Sequence, residues 1–457
     1  MTRSPALIGG APLDAPMAWR HGAPISRRRY LADVQALAAR LPDDGVMLNL
    51  SGDRYRFAVG LGAAMLRGQG NLMPPNHQRD TVARLRSLFP RAYALVDQAD
   101  TEVDLPRVAY ADADLADSAV QPADTPAVPR EALVSHVLTS GSTGLPVPHP
   151  KRWGPLVDCT VAGAKRLAEH LGRPDLAGLS LVATVPPQHM YGFESTVLIA
   201  MLGGAAFDAD RPFYPADIAA ALARLPRPRM LVTTPFHLRM LLDAGIALPP
   251  VDLVLSATAP LSPQLAARAE AALHGPLIEI YGCTEAGQVA TRRTTDGPEW
   301  RTYEGLVLSG DGEHTQVHGG HVIAPTPLAD ILEVLDPGRF RLLGRSNDLI
   351  NIAGKRNSLA HLNFHLNSTP GVADGAFWLP ADEIDGAITR LVAFVVAPEH
   401  TAAQVHEAVL AGLRPRVDPV FLPRRIVCVP ALPREPSTGK LPAIAFGQWA
   451  ARTLAAH

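Results

Sequence analysis

Between residues 46 and 281, short apolar runs alternate with amphipathic stretches, and this alternation limits the fold more than any other feature of the chain. VMLNL (46–50), AYALV (92–96), LVSHVL (133–138) and the runs at 179–185, 230–234, 252–256 and 277–281 have strand length. Stretches with helical spacing lie between them, at 53–67, 77–88, about 155–171, 193–202, 236–243 and 262–273. Strands that are apolar throughout are covered on both faces. The pattern therefore predicts an α/β fold with largely parallel, buried sheets and packed helices.

The character changes after about residue 300. Residues 301–343 are Gly-rich and charged, with strand-like pieces at 331–335 and 339–343. A smaller α+β unit begins near 349, with helices expected at 358–367 and 402–413 and strands at 391–397 and 424–429. The expected division is a large N-terminal domain over 1–343, a linker at 344–348 and a small C-terminal domain over 349–457. A chain of 457 residues is long enough for more than one core. The passage 111–130 and the stretch 139–151 read as loops.

Several classes of function are disfavoured. A net charge of −2 gives no electrostatic footprint for nucleic acid or an anionic membrane. Apolar stretches such as 195–207 are too short to span a bilayer. The N-terminus lacks the pattern of a secretion signal. Cys159, Cys283 and Cys428 are far apart, which argues against a zinc site or disulfide framework and fits a reducing cytoplasm. Only four of the 42 basic residues are lysines: Lys151, Lys165, Lys355 and Lys440. Arginine is the default cation here, so each lysine carries some information.

Residues 139–146 read TSGSTGLP. Hydroxyls and glycine N–H groups after a strand can surround phosphate oxygens. Taken alone, the segment reads more readily as a flexible Ser/Gly surface loop. It is neither a Walker A loop nor a GxSxG elbow. Its company is PPQHMYG (186–192), SATAPLS (256–262), YGCTE (281–285), LADILEVLDPGRFRLLGR (328–345), GRSND (344–348) and LPREPSTGK (432–440).

In this order and spacing the motifs resemble those of the adenylate-forming (AMP-binding) superfamily, which includes acyl- and aryl-CoA synthetases. The resemblance covers nearly the whole chain. It implies ATP-dependent activation of a carboxylic acid to an acyl-adenylate, release of pyrophosphate, and transfer to a thiol. By the same resemblance Thr139, Ser140, Ser142, Thr143 and Gly144 would hold the β- and γ-phosphates. Thr284 would contact the α-phosphate and Glu285 would help hold Mg²⁺, a cation that prefers hard oxygen ligands. Ala257, Thr258, Ala259, Tyr281 and Gly282 would border the adenine. Asp330 and Arg345 would bind the ribose, although Asp330 follows Leu-Ala where the family has Thr-Gly. Asp348 would be the hinge of a mobile small domain. Lys440 would swing in to bridge the substrate carboxylate and the α-phosphate.

Two departures stand out. Val147 occupies the place of the lysine that usually follows the loop proline, and the next lysine is Lys151. Either Lys151 reaches back or the loop works through backbone and hydroxyls. Downstream of Gly354-Lys355-Arg356, where the family meets its acceptor, Asn357–His361 replaces the usual Pro and Glu. Coenzyme A and the phosphopantetheine arm of an acyl carrier protein both stay open. The acid pocket is expected near His189, Tyr191, Gly192, Phe193, Phe236 and His237, as a flat aromatic slot. A second resemblance, to aryl-polyene and xanthomonadin-type aryl acid ligases, implies a small aromatic acid such as a hydroxybenzoate. The alternatives are a fatty acyl synthetase on the same scaffold and a non-catalytic nucleotide-binding regulator.

Overall fold

The structure, a computed structural model, describes residues 4–98, 100–110, 122–140, 146–310, 314–345, 349–352, 355–380, 390–434 and 441–456. Two large sheets organise the N-terminal part, in a mixed, largely parallel α/β arrangement. In the first, Val46–Asn49 lies between Asn71–Met73 and Ala92–Val96, all parallel, and Arg107–Ala109 closes one edge. Leu133–Ser140 pairs with Asn71–Met73 and then with Pro146–Arg152, which runs back antiparallel and forms the other edge. All five residues of Ala92–Val96 are buried, as expected of a strand covered on both faces.

The strand Pro146–Arg152 corrects the loop expected there. Pro146, Pro148 and Pro150 recur every second residue, so their missing N–H groups fall on one side of the strand. An edge strand tolerates this because that side faces no partner strand. Proline-rich sequence reads as loop, and only the sheet edge makes a strand of it. The helix that follows, Trp153–Leu171, starts directly after the strand.

The second sheet has eleven strands. At its centre Ser180–Ala183, Arg229–Thr233, Leu253–Ser256 and Leu277–Cys283 run parallel, with Thr233 opposite Ser256 and Ser256 opposite Glu279. Helices Pro235–Asp243 and Pro263–Leu273 cover it, each starting with proline and capped by the hydroxyl of Thr234 or Ser262. After Cys283 the chain turns back and pairs antiparallel as Gly287–Arg293. The parallel part of the sheet therefore ends at residues 284–286.

Arg54 ties the two sheets together. Its buried guanidinium donates to the carbonyls of Val185 (2.7 Å), Asp208 and Asp210 (both 2.9 Å) and Ala183 (3.2 Å). Burial lowers its pKa to about 10, and the four carbonyls supply acceptors in place of water.

After residue 349 come the hairpin Leu349–Ile352/Lys355–Ser358 and a sheet of Asp374–Trp378, Val392–Val396 and Arg425–Cys428. Helices Leu359–Asn367 and Ala402–Leu413 match expectation. The helix Ala443–Ala456 was not anticipated, nor were Pro215–Arg224 and the strands Pro16–Arg20 and Ala23–Ser26. Two apolar clusters, one around Leu366, Val395 and Val409 and one around Phe394, Phe446 and Ala450, draw on residues after 349.

Candidate active site

The C-terminal ends of the central parallel strands carry the residues of PPQHMYG, SATAPLS and YGCTE, where open α/β sheets commonly bind ligands. Tyr191 stands at the ends of two of these strands. Its hydroxyl reaches the carbonyls of Thr233 (3.0 Å) and Leu255 (2.9 Å). Beyond Ser256 the chain leaves the sheet, with Ala257 buried and Thr258 and Ala259 exposed. Thr258 has φ +80°, a left-handed conformation that costs a β-branched residue energy and persists where surroundings enforce it. His189 is exposed at the start of the following helical segment. Gly192 is required by packing: a Cβ there would lie 2.1 Å from the Pro186 carbonyl oxygen.

The expected aromatic slot is only partly present. Phe193 is fully buried in the main core. His237 is buried, with Nδ1 2.8 Å from the Thr234 hydroxyl and its ring edge-on to Phe213 and Phe236. Phe236 remains half-buried. Phe193 is thus taken up by core packing, while His237 is held by the Thr234 hydroxyl.

Thr284 and Glu285 lie in the turn between Leu277–Cys283 and Gly287–Arg293. Gly282 lets the two strands approach, since a Cβ there would stand 2.3 Å from the Gly287 oxygen. The strand Pro146–Arg152 reaches this turn from the other sheet. Its His149 places Nε2 3.7 Å from a Glu285 carboxylate oxygen. The Lys151 ammonium donates to the carbonyls of Thr284 and, at 3.2 Å, Glu285. Lys151 therefore meets the acidic turn, an arrangement neither sequence option anticipated.

Tyr281 and Asp330 are bonded to each other, the phenol donating to the carboxylate at 2.7 Å. The Tyr281 ring packs edge-on to Trp300 and Phe340 in a third core cluster. Asp330 lies directly opposite Arg345 across the antiparallel pair Asp330–Asp336/Arg339–Arg345. The two residues expected at the ribose thus share one rung of a ladder.

Sequence reasoning missed a buried polar cluster next to the turn. Helical structure runs from Met190 to Gly203, with wider π turns over Phe193–Leu198. Glu194 lies in that stretch, almost wholly buried, and accepts from the Cys159 thiol at 3.7 Å. Burial raises the Glu194 pKa to about 7, with Lys151 opposing the rise. Gln288 donates to the Ser195 hydroxyl (3.2 Å) and accepts from Tyr303 (2.9 Å). His321 is buried with its pKa lowered to about 4 by desolvation, and Nε2 finds no partner among the described residues. The only available signal was a lone glutamate inside an apolar helix.

Of the other expected site residues, Ser142, Thr143, Gly144, Asp348 and Lys440 lie outside the described residues. Thr139, Ser140 and Arg345 are described as strand residues in backbone only. No group of three or more His, Cys, Asp or Glu suited to a metal occurs among the described residues. One half-exposed carboxylate, Glu285, suits Mg²⁺ that takes most ligands from phosphate and water. Two surface clefts of about 410 and 560 Å³ share Arg166, Glu169 and Arg301, and none of the expected site residues lines them.

A family profile described as AMP-binding enzyme matches residues 46–313, more than half of the chain. The chain belongs to the AMP-binding enzyme family. It is 32% identical over 280 residues to a 4-coumarate–CoA ligase of Rhodobacter capsulatus, covering 61% of this chain and 66% of that one. It is 31% identical over 268 residues to a 4-coumarate–CoA ligase of Halorhodospira halophila, covering 56% and 62%. The matches thus span a little under two thirds of these curated relatives. In fold, this AMP-binding protein superposes on ATP-bound MatB from Rhodopseudomonas palustris with a TM-score of 0.76, at 17% identity over 96% of this chain and 97% of that one. No described helix is long and apolar enough to cross a membrane.

Proposed function

We propose that the protein activates a small aromatic acid with ATP and passes the acyl group to the thiol of coenzyme A or of a carrier protein's phosphopantetheine arm. The observation that carries this reading is the meeting of a strand of one sheet with a turn of the other. Leu133–Ser140, which leads into TSGSTG, is paired with Pro146–Arg152, and that strand bonds the Thr284-Glu285 turn. A triphosphate lying along this junction would have hydroxyls and backbone N–H groups on one side and Thr284 on the other. Asp330, beside Tyr281 and opposite Arg345, would take the ribose hydroxyls.

In the first half-reaction a carboxylate oxygen of the acid attacks the α-phosphorus. The bond to the β-phosphate oxygen breaks and pyrophosphate leaves. Thr284 would donate to the α-phosphate as charge builds there, and Glu285 with phosphate oxygens would hold Mg²⁺. When bound, Mg²⁺ neutralises the charge of the phosphates. Lys440, from the small domain that would turn about Asp348, would bring the two anionic reactants together. In the second half-reaction a thiolate attacks the acyl carbon and AMP leaves.

The names of the curated relatives support an aromatic acid and coenzyme A, and Phe236 and Tyr191 supply aromatic surface near the strand ends. Three free cysteines, Cys159, Cys283 and Cys428, support a reducing compartment such as the cytoplasm. Pyrophosphate–ATP exchange with a panel of acids tests the reading. Exchange should need an added acid and should favour hydroxycinnamates or hydroxybenzoates over palmitate. Exchange without acid, or none with any acid in folded protein, would overturn it, and a palmitate preference would overturn the aromatic assignment.

A further inference from the structure

Val147, at the position that follows the loop proline, is 48% exposed and carries no charge. The strand's lysine is Lys151, four residues further along. Four residues of strand span about 13 Å, further than a lysine stem can reach back. Its ammonium is committed elsewhere, to the carbonyls of Thr284 and Glu285. An ammonium has three donors and no acceptor, so two adjacent turn carbonyls without ladder partners suit it. Beneath the turn, Gly287 has φ +80°, and a Cβ there would stand 3.1 Å from Glu194 Oε1 and 3.6 Å from Cys159 Sγ. The turn is thus held by Lys151 on one side and seated on Glu194 and Cys159 on the other.

We propose that Lys151 is a positioning residue that fixes the Thr284-Glu285 turn through its carbonyls and does not itself bind phosphate. The consequence is that the Thr284 hydroxyl and the Glu285 carboxylate stand ready for the α-phosphate and its cation. The turn has no other described side-chain donor to these carbonyls. This rests on the adenylation reading, so its loss should appear in turnover and in the Mg²⁺ requirement rather than in ATP affinity.

Two measurements test it. In wild-type enzyme, amine-reactive labelling followed by peptide mapping reads each lysine without any turnover, so it stays informative even if the adenylation reading fails. Lys165 and Lys355, both largely exposed, serve as fast references. Lys151 should label slowly without ATP, and ATP should leave that rate unchanged. Fast labelling that ATP suppresses would mean direct phosphate contact and would overturn the proposal. In the second measurement, Lys151→Met should lower kcat for exchange by roughly 10²-fold, the loss that a misplacement of about 1 Å causes. It should raise the Mg²⁺ requirement and leave the KM for ATP near wild type, and Lys151→Arg should recover part of the rate. Adding Val147→Lys to Lys151→Met should restore nothing. A raised ATP KM with kcat retained, rescue by Val147→Lys, or wild-type behaviour of Lys151→Met would each overturn it. Should Lys151→Met not fold, the labelling result decides.

Discussion

At the scale of single residues, the chemistry needs cations that differ in kind. Lys151 is placed by two carbonyls at a fixed point. Lys440, in the PSTGK motif, is proposed to act between a carboxylate and a phosphate that approach each other. A compact ammonium on a flexible stem can follow that approach, whereas a planar guanidinium is wider and prefers a fork of acceptors. Lys440→Ala should therefore cut adenylation by roughly 10²–10³-fold, the cost of one charge-stabilising donor, while ATP still binds. Lys440→Arg should also be poor. Thioester formation from a supplied acyl-adenylate should survive in both. Separate assays of the two half-reactions check this, and equal failure of both in folded protein would contradict the role.

At the scale of elements, the helical run Met190–Gly203 pays a cost for holding Glu194 inside. Its carboxyl has a folded pKa of about 7, raised first by burial, against about 4.5 when exposed. The neutral form is favoured in the fold, so the stabilising contribution is full below about pH 4.5 and is lost as pH rises through 7. Glu194→Gln removes that dependence. Between pH 4.5 and 7, stability should shift in favour of the variant by about 1.4 kcal/mol for each pKa unit of displacement, and the difference should be flat above pH 7. Urea unfolding of both proteins across this range reads it, and a constant difference would show that Glu194 titrates as an exposed acid.

At the scale of the molecule, one carboxylate links the segment that leads to Lys440 with the large part of the chain. Asp374 takes a two-pronged pair from Arg434, at 2.7 and 2.8 Å, and faces Arg239 of the helix Pro235–Asp243 at 3.4 Å. Nearby, Gln264 donates to the Ser368 carbonyl. Asp374→Ala should destabilise the part after residue 349 by about 1.5–3 kcal/mol, the range for hydrogen bonds to charged groups. It should slow adenylation while the KM for ATP is unchanged. Limited proteolysis with peptide mapping should show faster cleavage after residue 349, and an unchanged cleavage pattern would remove Asp374 from this role.

Periodicity alone placed the strands Val46–Asn49, Ala92–Val96, Arg229–Thr233 and Leu253–Ser256 and the helices between them, because burial on both faces writes itself into uninterrupted apolar runs. Motif order pointed to the family, and Thr284, Glu285, Tyr281 and Asp330 do meet at one end of the sheets. Tertiary structure decided the rest. Pro146–Arg152 is a strand because a sheet edge tolerates prolines in alternate positions. Phe193 packs in the core and His237 is buried against Phe213 and Phe236, placements hidden in the sequence because an aromatic ring reads the same whether it packs or binds. Lys151 bonds the turn at 284–285, a contact made by the meeting of two sheets and therefore by residues more than a hundred positions apart.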